Sequence, residues 1–221
     1  MAVNIEAFIF DLDGVITDTS EYHYLAWKRL AEEEGIFFNR KDNEQLRGVS
    51  RRKSLELLLR DRKDDYTEKE LQEMMEIKNG YYQEYINTIT PDALLPGIMK
   101  ILNELKDRGF KMAIASASKN TRTVVNNLEI GEFFDTISDG YSVEKTKPAP
   151  DLFLHTAAKM GIKAEYCVVV EDAEAGVEAA LAAGMLAVGI GPQKRVGRAH
   201  YRYERVAELN LEEILEFSPG S

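Results

Sequence analysis

Asp11 and Asp13 stand two positions apart in FIFDLDG, directly after the apolar run Ala7 to Phe10 and before Gly14. Carboxylates placed together at the end of a buried strand repel one another and lose hydration, so they need a partner. A second acidic pair, Glu171 and Asp172, follows the run Cys167 to Val170. Ser116 follows the run Met112 to Ala115, and Lys147 lies in KTKPAPD, between those two runs. Hard carboxylate oxygens with few other ligand types suit Mg²⁺. A serine hydroxyl and a lysine ammonium facing them would hold an anion. This combination describes a phosphoryl-transfer site, where an aspartate can be the nucleophile and form an aspartyl-phosphate.

The elements that must position these groups can be read from the pattern. The three runs are too short for helices and apolar on both faces, as parallel strands covered by helices are. Ala187 to Ile190 is a weaker fourth. GIMKILNELKDRG, DLFLHTAAKMG and EAGVEAALAAG read as helices stopped by Gly109, Gly161 and Gly184. The alternation predicts a Rossmann-like, doubly wound α/β sheet, which binds ligands beyond the C-terminal ends of its strands. From Thr17 to Pro91 the rhythm breaks and only helices are expected: Glu21 to Glu34, Asn43 to Leu46, Ser54 to Arg60 and Thr67 to Asn87. Thr67 and Glu70 form a capping-box signature for the last of these. The expected organisation is a core of residues 1–16 and 92–221, with an all-helical cap, 17–91, inserted after the first strand.

With these pieces in order along the whole chain, DLDG, Ser116, Lys147 and ED resemble the haloacid dehalogenase superfamily of phosphotransferases. DLDGVITDTSEYHYLAW, NEQLRGVSR, ASASKN and TKPAPD are similar to its β-phosphoglucomutase family. That resemblance implies interconversion of β-glucose 1-phosphate and glucose 6-phosphate, primed by glucose 1,6-bisphosphate. It implies Asp11 as nucleophile and Asp13 as general acid/base. It implies Mg²⁺ on Asp11, the Asp13 carbonyl and Asp172, with Glu171 close by. Ser116 and Lys147 would bind the transferring phosphate; Arg51, Ser118, Lys119 and Asn120 would bind the other. Thr19 and His23 would lie near the hinge, His23 orienting Asp13, while Arg47, Gly48 and Lys78 of the cap would reach over the sugar. Three features depart from the family pattern: Arg47 replaces a lysine, Ala173 follows ED where a serine is common, and the flap SDGYSVEKT differs. They bear on substrate preference, not on reaction class.

Plainer readings compete for the same residues. Asp11 and Asp13 could form a turn before Gly14, and Glu171 with Asp172 could cap the next helix. Capping and phosphate binding use the same N–H groups, so Ser116, Ser118 and Asn120 can do both. Trp27 fits the cap core better than a sugar platform. The basic and aromatic run KRVGRAHYRYER reads as a solvated edge, because a formal net charge of -10 argues against nucleic acid and anionic membrane. The single Cys167 excludes an internal disulfide and reads as a buried small hydrophobe. No signal-peptide layout or membrane-spanning run is present, so a cytoplasmic monomer acting on a small phosphosugar is expected, and the closing SPGS reads as a frayed tail. The rival activities are a sugar-phosphate phosphatase using the same aspartates and a catalytically silent phosphosugar sensor.

Overall fold

The computed structural model describes residues 4–217, so the SPGS expectation lies outside the described residues. Six strands form one parallel sheet in the order β3-β2-β1-β4-β5-β6. They are β1 (Ala7–Phe10), β2 (Lys111–Ala115), β3 (Thr136–Ser138), β4 (Cys167–Glu171), β5 (Leu186–Ile190) and β6 (Tyr201–Tyr203). The four expected strands are present, while the three-residue edge strands β3 and β6 went unread. The run read as a solvated edge supplies β6 at the sheet margin.

Alternating side chains divide β1 between two apolar layers. Phe8 and Phe10 pack with Met112, Ile114, Val168 and Val170 on one face. Ala7 and Ile9 pack with Ala113, Ala115, Cys167 and Val169 on the other. Helices α5 (Ile98–Asp107), α6 (Thr121–Asn127), α7 (Asp151–Met160), α8 (Glu174–Ala182), α9 (Gln193–Val196) and α10 (Leu211–Leu215) complete the core. Gly109, Gly161 and Gly184 all have positive φ after their helices, the left-handed stop that the sequence reading requires.

Between β1 and α5 lie α1 (Ser20–Glu33), α2 (Arg40–Asn43), α3 (Arg51–Leu59) and α4 (Glu68–Ile86), with short 3₁₀ turns and no strand. Their own apolar cluster includes Trp27, Leu30, Leu55, Leu58, Leu71 and Met74, so Trp27 belongs to the cap core. The Thr67–Glu70 capping box forms in both directions at the start of α4. α3 begins three residues earlier than the expected Ser54, because Ser50 accepts the Lys53 N–H and caps it. That shift puts Arg51 at the first turn of α3, facing the core. The two connecting segments run side by side: Leu95 N–H donates to Ile16 O at 2.9 Å, and the Thr17 hydroxyl donates to Ala93 O at 2.7 Å.

Candidate active site

The sheet carries its chemistry at one edge, as the strand ends require. Asp11 continues the ladder beyond β1, its N–H donating to Val170 O at 2.9 Å, and Ser116 does the same beyond β2, donating to Ser138 O at 3.1 Å. Glu171 closes β4 and Asp172 follows it. Lys147 is fully buried among them, with Nζ at 2.6 Å from Asp11 Oδ1, 2.5 Å from Glu171 Oε1 and 3.0 Å from Ala115 O. Burial alone would lower its pKa, but the charges of Asp11 and Glu171 outweigh it and hold Lys147 above its ordinary value.

Oxygen atoms of Asp11, Glu171 and Asp172 lie within 4.8 Å of one another. Burial first, with neighbouring carboxylates adding to it, pushes Glu171 and Asp172 up to about 7. An all-oxygen donor set in which Glu171 and Asp172 ionise only reluctantly by themselves fits a hard divalent cation. The approach to it is kept open by glycine: a Cβ on Gly14 would fall 2.4 Å from the Asp172 carboxyl, and one on Gly176 would fall 1.9 Å from Glu171 Oε1. The capping alternative does not hold: Glu171 accepts the Ala173 N–H at 2.9 Å, which lies before α8, and no side chain caps the start of that helix.

Asp13 is set apart from this trio. Burial and the charge of Asp11 raise it to about 7. Its Oδ1 accepts from the Thr19 hydroxyl, which in turn accepts from Tyr82 OH at 3.1 Å. Its own N–H donates to Asp11 Oδ2 at 3.1 Å. His23 is turned elsewhere: its Nδ1 lies 2.8 Å from Lys78 Nζ and its ring stacks on Tyr82 at 4.0 Å. The hydroxyl of Thr19, rather than His23, therefore holds the Asp13 carboxyl. Burial and then neighbouring cations push His23 well below its ordinary pKa, and Lys78 is likewise lowered by burial and Arg51.

The second cluster bridges cap and core. Asn79 Oδ1 accepts from Arg51 Nη2 and from Asn120 Nδ2, both at 2.7 Å. Ser118 Oγ accepts the Asn120 N–H at 3.2 Å, and Ser116 Oγ accepts the Ser118 N–H at 3.1 Å. Lys119 lies over the Tyr141 ring of the flap at 4.7 Å. Arg47 Nη1 reaches Asp172 Oδ2 at 2.7 Å, and Gly48 sits at φ 70° with its Cβ position 2.8 Å from Ala173 Cβ. Arg195 corrects the reading of its run as solvated, for it lies at the seam, 3.6 Å from Asp172. Sequence reasoning missed Asn79 and Tyr82. Both lie on α4 after Lys78, Asn79 at the next position and Tyr82 one turn further on, where their types read as helix surface and core.

Known proteins fit this arrangement. The family model for haloacid dehalogenase-like hydrolases matches residues 5–184. β-Phosphoglucomutase of Bacillus subtilis is 44% identical, covering 96% of this chain and 95% of that protein. A phosphorylated carbohydrates phosphatase of Thermotoga maritima is 29% identical, covering 96% and 97%. The crystal structure of β-phosphoglucomutase from Clostridium difficile superposes with a TM-score of 0.93 at 42% identity, covering 96% of each chain. Similarity this extensive, on the doubly wound α/β fold that the sequence pattern predicts, means that the chain belongs to the haloacid dehalogenase-like hydrolase family, as a homologue of its β-phosphoglucomutases.

Proposed function

We propose that the protein interconverts β-glucose 1-phosphate and glucose 6-phosphate through an aspartyl-phosphate on Asp11 and β-glucose 1,6-bisphosphate. The observation that carries this reading is a pair of clusters suited to anions, one within the core and one bridging cap and core: Ser116 and Lys147 beside Asp11, and Arg51 and Asn120 joined through Asn79, with Ser118 and Lys119 next to Asn120 in the chain. A phosphatase needs the first cluster only; a mutase must also hold the phosphate that is not being transferred.

In this reading the phosphoryl group on Asp11 passes to the free hydroxyl of the bound sugar phosphate while Asp13 takes the hydroxyl proton. The pKa of about 7 suits Asp13 to both halves of that exchange. The bisphosphate then turns end for end, Asp11 receives its other phosphoryl group, and Asp13 returns the proton to the departing sugar oxygen. Lys147 neutralises charge on Asp11 and the phosphoryl oxygens, while Thr19 and Tyr82 orient the Asp13 carboxyl. Lys78, in contact with His23, lines the pocket from the cap side, and Arg47 and Gly48 bring the cap loop down beside the core. Asp11, Asp172 and Glu171, with the Asp13 carbonyl, would hold Mg²⁺, which when bound supplies charge stabilisation to the phosphoryl group. Glucose 1,6-bisphosphate primes Asp11. The proposed cap is residues 17–91, a division supported by the contact of the two connecting segments at Thr17 and Ala93. A cytoplasmic setting agrees with the absence, among the described residues, of a helix long and apolar enough to cross a membrane.

The test is a coupled assay with Mg²⁺, β-glucose 1-phosphate and a catalytic amount of glucose 1,6-bisphosphate, reading glucose 6-phosphate and free phosphate together. Glucose 6-phosphate with little free phosphate is the expected result, abolished in Asp11→Asn. Free phosphate alone would assign the chain to the phosphatases; neither product, in wild type as in Asp11→Asn, would point to a catalytically silent sensor.

A further inference from the structure

Four charges form a ring across the seam between cap and core. Glu44 and Arg47 flank the short turn after α2; Asp172 follows β4, and Arg195 lies in α9. Arg47 Nη1 is 2.7 Å from Asp172 Oδ2, which is 3.6 Å from Arg195 Nη2. Arg195 Nη1 is 3.6 Å from Glu44 Oε2, and Glu44 Oε1 is 3.5 Å from Arg47 Nε. Signs alternate around the ring, and each side of the seam supplies one acid and one base. Each half is thus a small dipole, and the two lie antiparallel, an arrangement that is attractive only while the cap rests on the core.

Arg195 is built for this place. A Cβ on Gly191, at φ 122°, would fall 2.7 Å from Arg195 Nη2, so the glycine makes room for the guanidinium. Its Nε is buried without a hydrogen-bond partner, and its side chain is 24% exposed, so its attachments are two charge contacts of equal length, Asp172 within the core and Glu44 across the seam. The contact between Glu44 and Arg195 does not involve Asp172 and stays available whatever Asp172 binds.

We propose that Glu44 and Arg195 are positioning residues that latch the cap, holding it closed so that the phosphoryl group on Asp11 meets a sugar hydroxyl rather than water. The latch rests on the mutase reading for its consequence, though not for its geometry. Neither residue touches the reacting atoms.

The experiment compares wild type with Glu44→Arg, Arg195→Glu and the doubly reversed pair. One readout is the ratio of free phosphate to glucose 6-phosphate; the other is the radius of gyration in solution at low salt and in about 1 M NaCl, where charges are screened beyond about 3 Å. Each single reversal should raise the ratio about fivefold, as expected for a partly exposed pair worth roughly 1 kcal/mol, and should enlarge the molecule at low salt. The double reversal should recover both values, and high salt should make the wild type resemble the single variants. Single variants with wild-type ratio and size, or a double variant as leaky and open as either single, would overturn the latch. Should a reversal fail to fold, Glu44→Gln and Arg195→Gln carry the same comparison without a new charge. A wild type that makes no glucose 6-phosphate would defeat the mutase reading, while the scattering comparison would still decide the latch.

Discussion

The proton-handling part of the site hangs on a hydroxyl relay. Tyr82 donates to Thr19 and Thr19 to Asp13, so the carboxyl that burial and Asp11 raise to about 7 is held in one orientation. Tyr82 is 1% exposed, and its ring also stacks on His23, so removing only the hydroxyl should leave the packing intact. Tyr82→Phe should therefore lower kcat of the mutase reaction about two- to tenfold, the worth of one buried hydrogen bond of about 0.5–1.5 kcal/mol, with KM little changed. A kcat equal to wild type in steady-state assays would show that Thr19 needs no support. The acids and Ser116 were legible because each lies in a short polar break next to an apolar run, whereas Lys147, in the loop KTKPAPD far from either run, was picked out by its motif. Tyr82 was not, since sixty-three positions separate it from Thr19 and an aromatic on an amphipathic helix reads as packing. His23 was placed near the right residues but against the wrong one, because a one-dimensional pattern does not say which way a ring turns.

At the level of elements, α4 carries more of the site than any other cap helix, presenting Lys78, Asn79 and Tyr82 from one length of chain. Its N-terminus is secured by Thr67, whose hydroxyl accepts the Glu70 N–H while the Glu70 carboxylate accepts the Thr67 N–H at 2.7 Å. Thr67→Ala should cost about 1 kcal/mol, read as a fall of about 2–4 °C in Tm for a chain of this size. Activity at room temperature should persist, because the cap residue lies far from the chemistry; an unchanged Tm would mean that α4 draws nothing from its box. This helix was readable in advance from the box and from its apolar spacing. The central strands were equally readable, being apolar on both faces. β3 and β6 were not: three residues at a sheet margin, half exposed, carry too short a period to separate from loop, and their partners decide their conformation. The same applies to the start of α3, where a serine cap at Ser50 outranked the apolar spacing that begins later.

The molecule as a whole gathers its buried acids at one edge, and its stability should report what occupies that edge. Glu171 and Asp172 have unfolded-state values near 4.5 and 3.8 and folded values of about 7. A raised carboxyl binds more protons folded than unfolded, so its contribution to stability is lost as pH climbs from the unfolded value through about 7. His23 runs the other way, since burial lowers it below 6.5 and the fold gains as pH rises through that window. The absolute pH profile mixes these opposite signs, but the increment produced by a cation does not. Below pH 7 a divalent ion bound here must displace protons from Glu171 and Asp172; above it those two carboxylates are already charged and repel one another. The rise in Tm on replacing EDTA with Mg²⁺ should therefore be small near pH 5.5 and grow through pH 7 to pH 8. Asp172→Asn should flatten that growth, while leaving the His23 contribution in EDTA as it was. An increment independent of pH, measured by thermal unfolding across the series, would place the cation somewhere other than among these carboxylates.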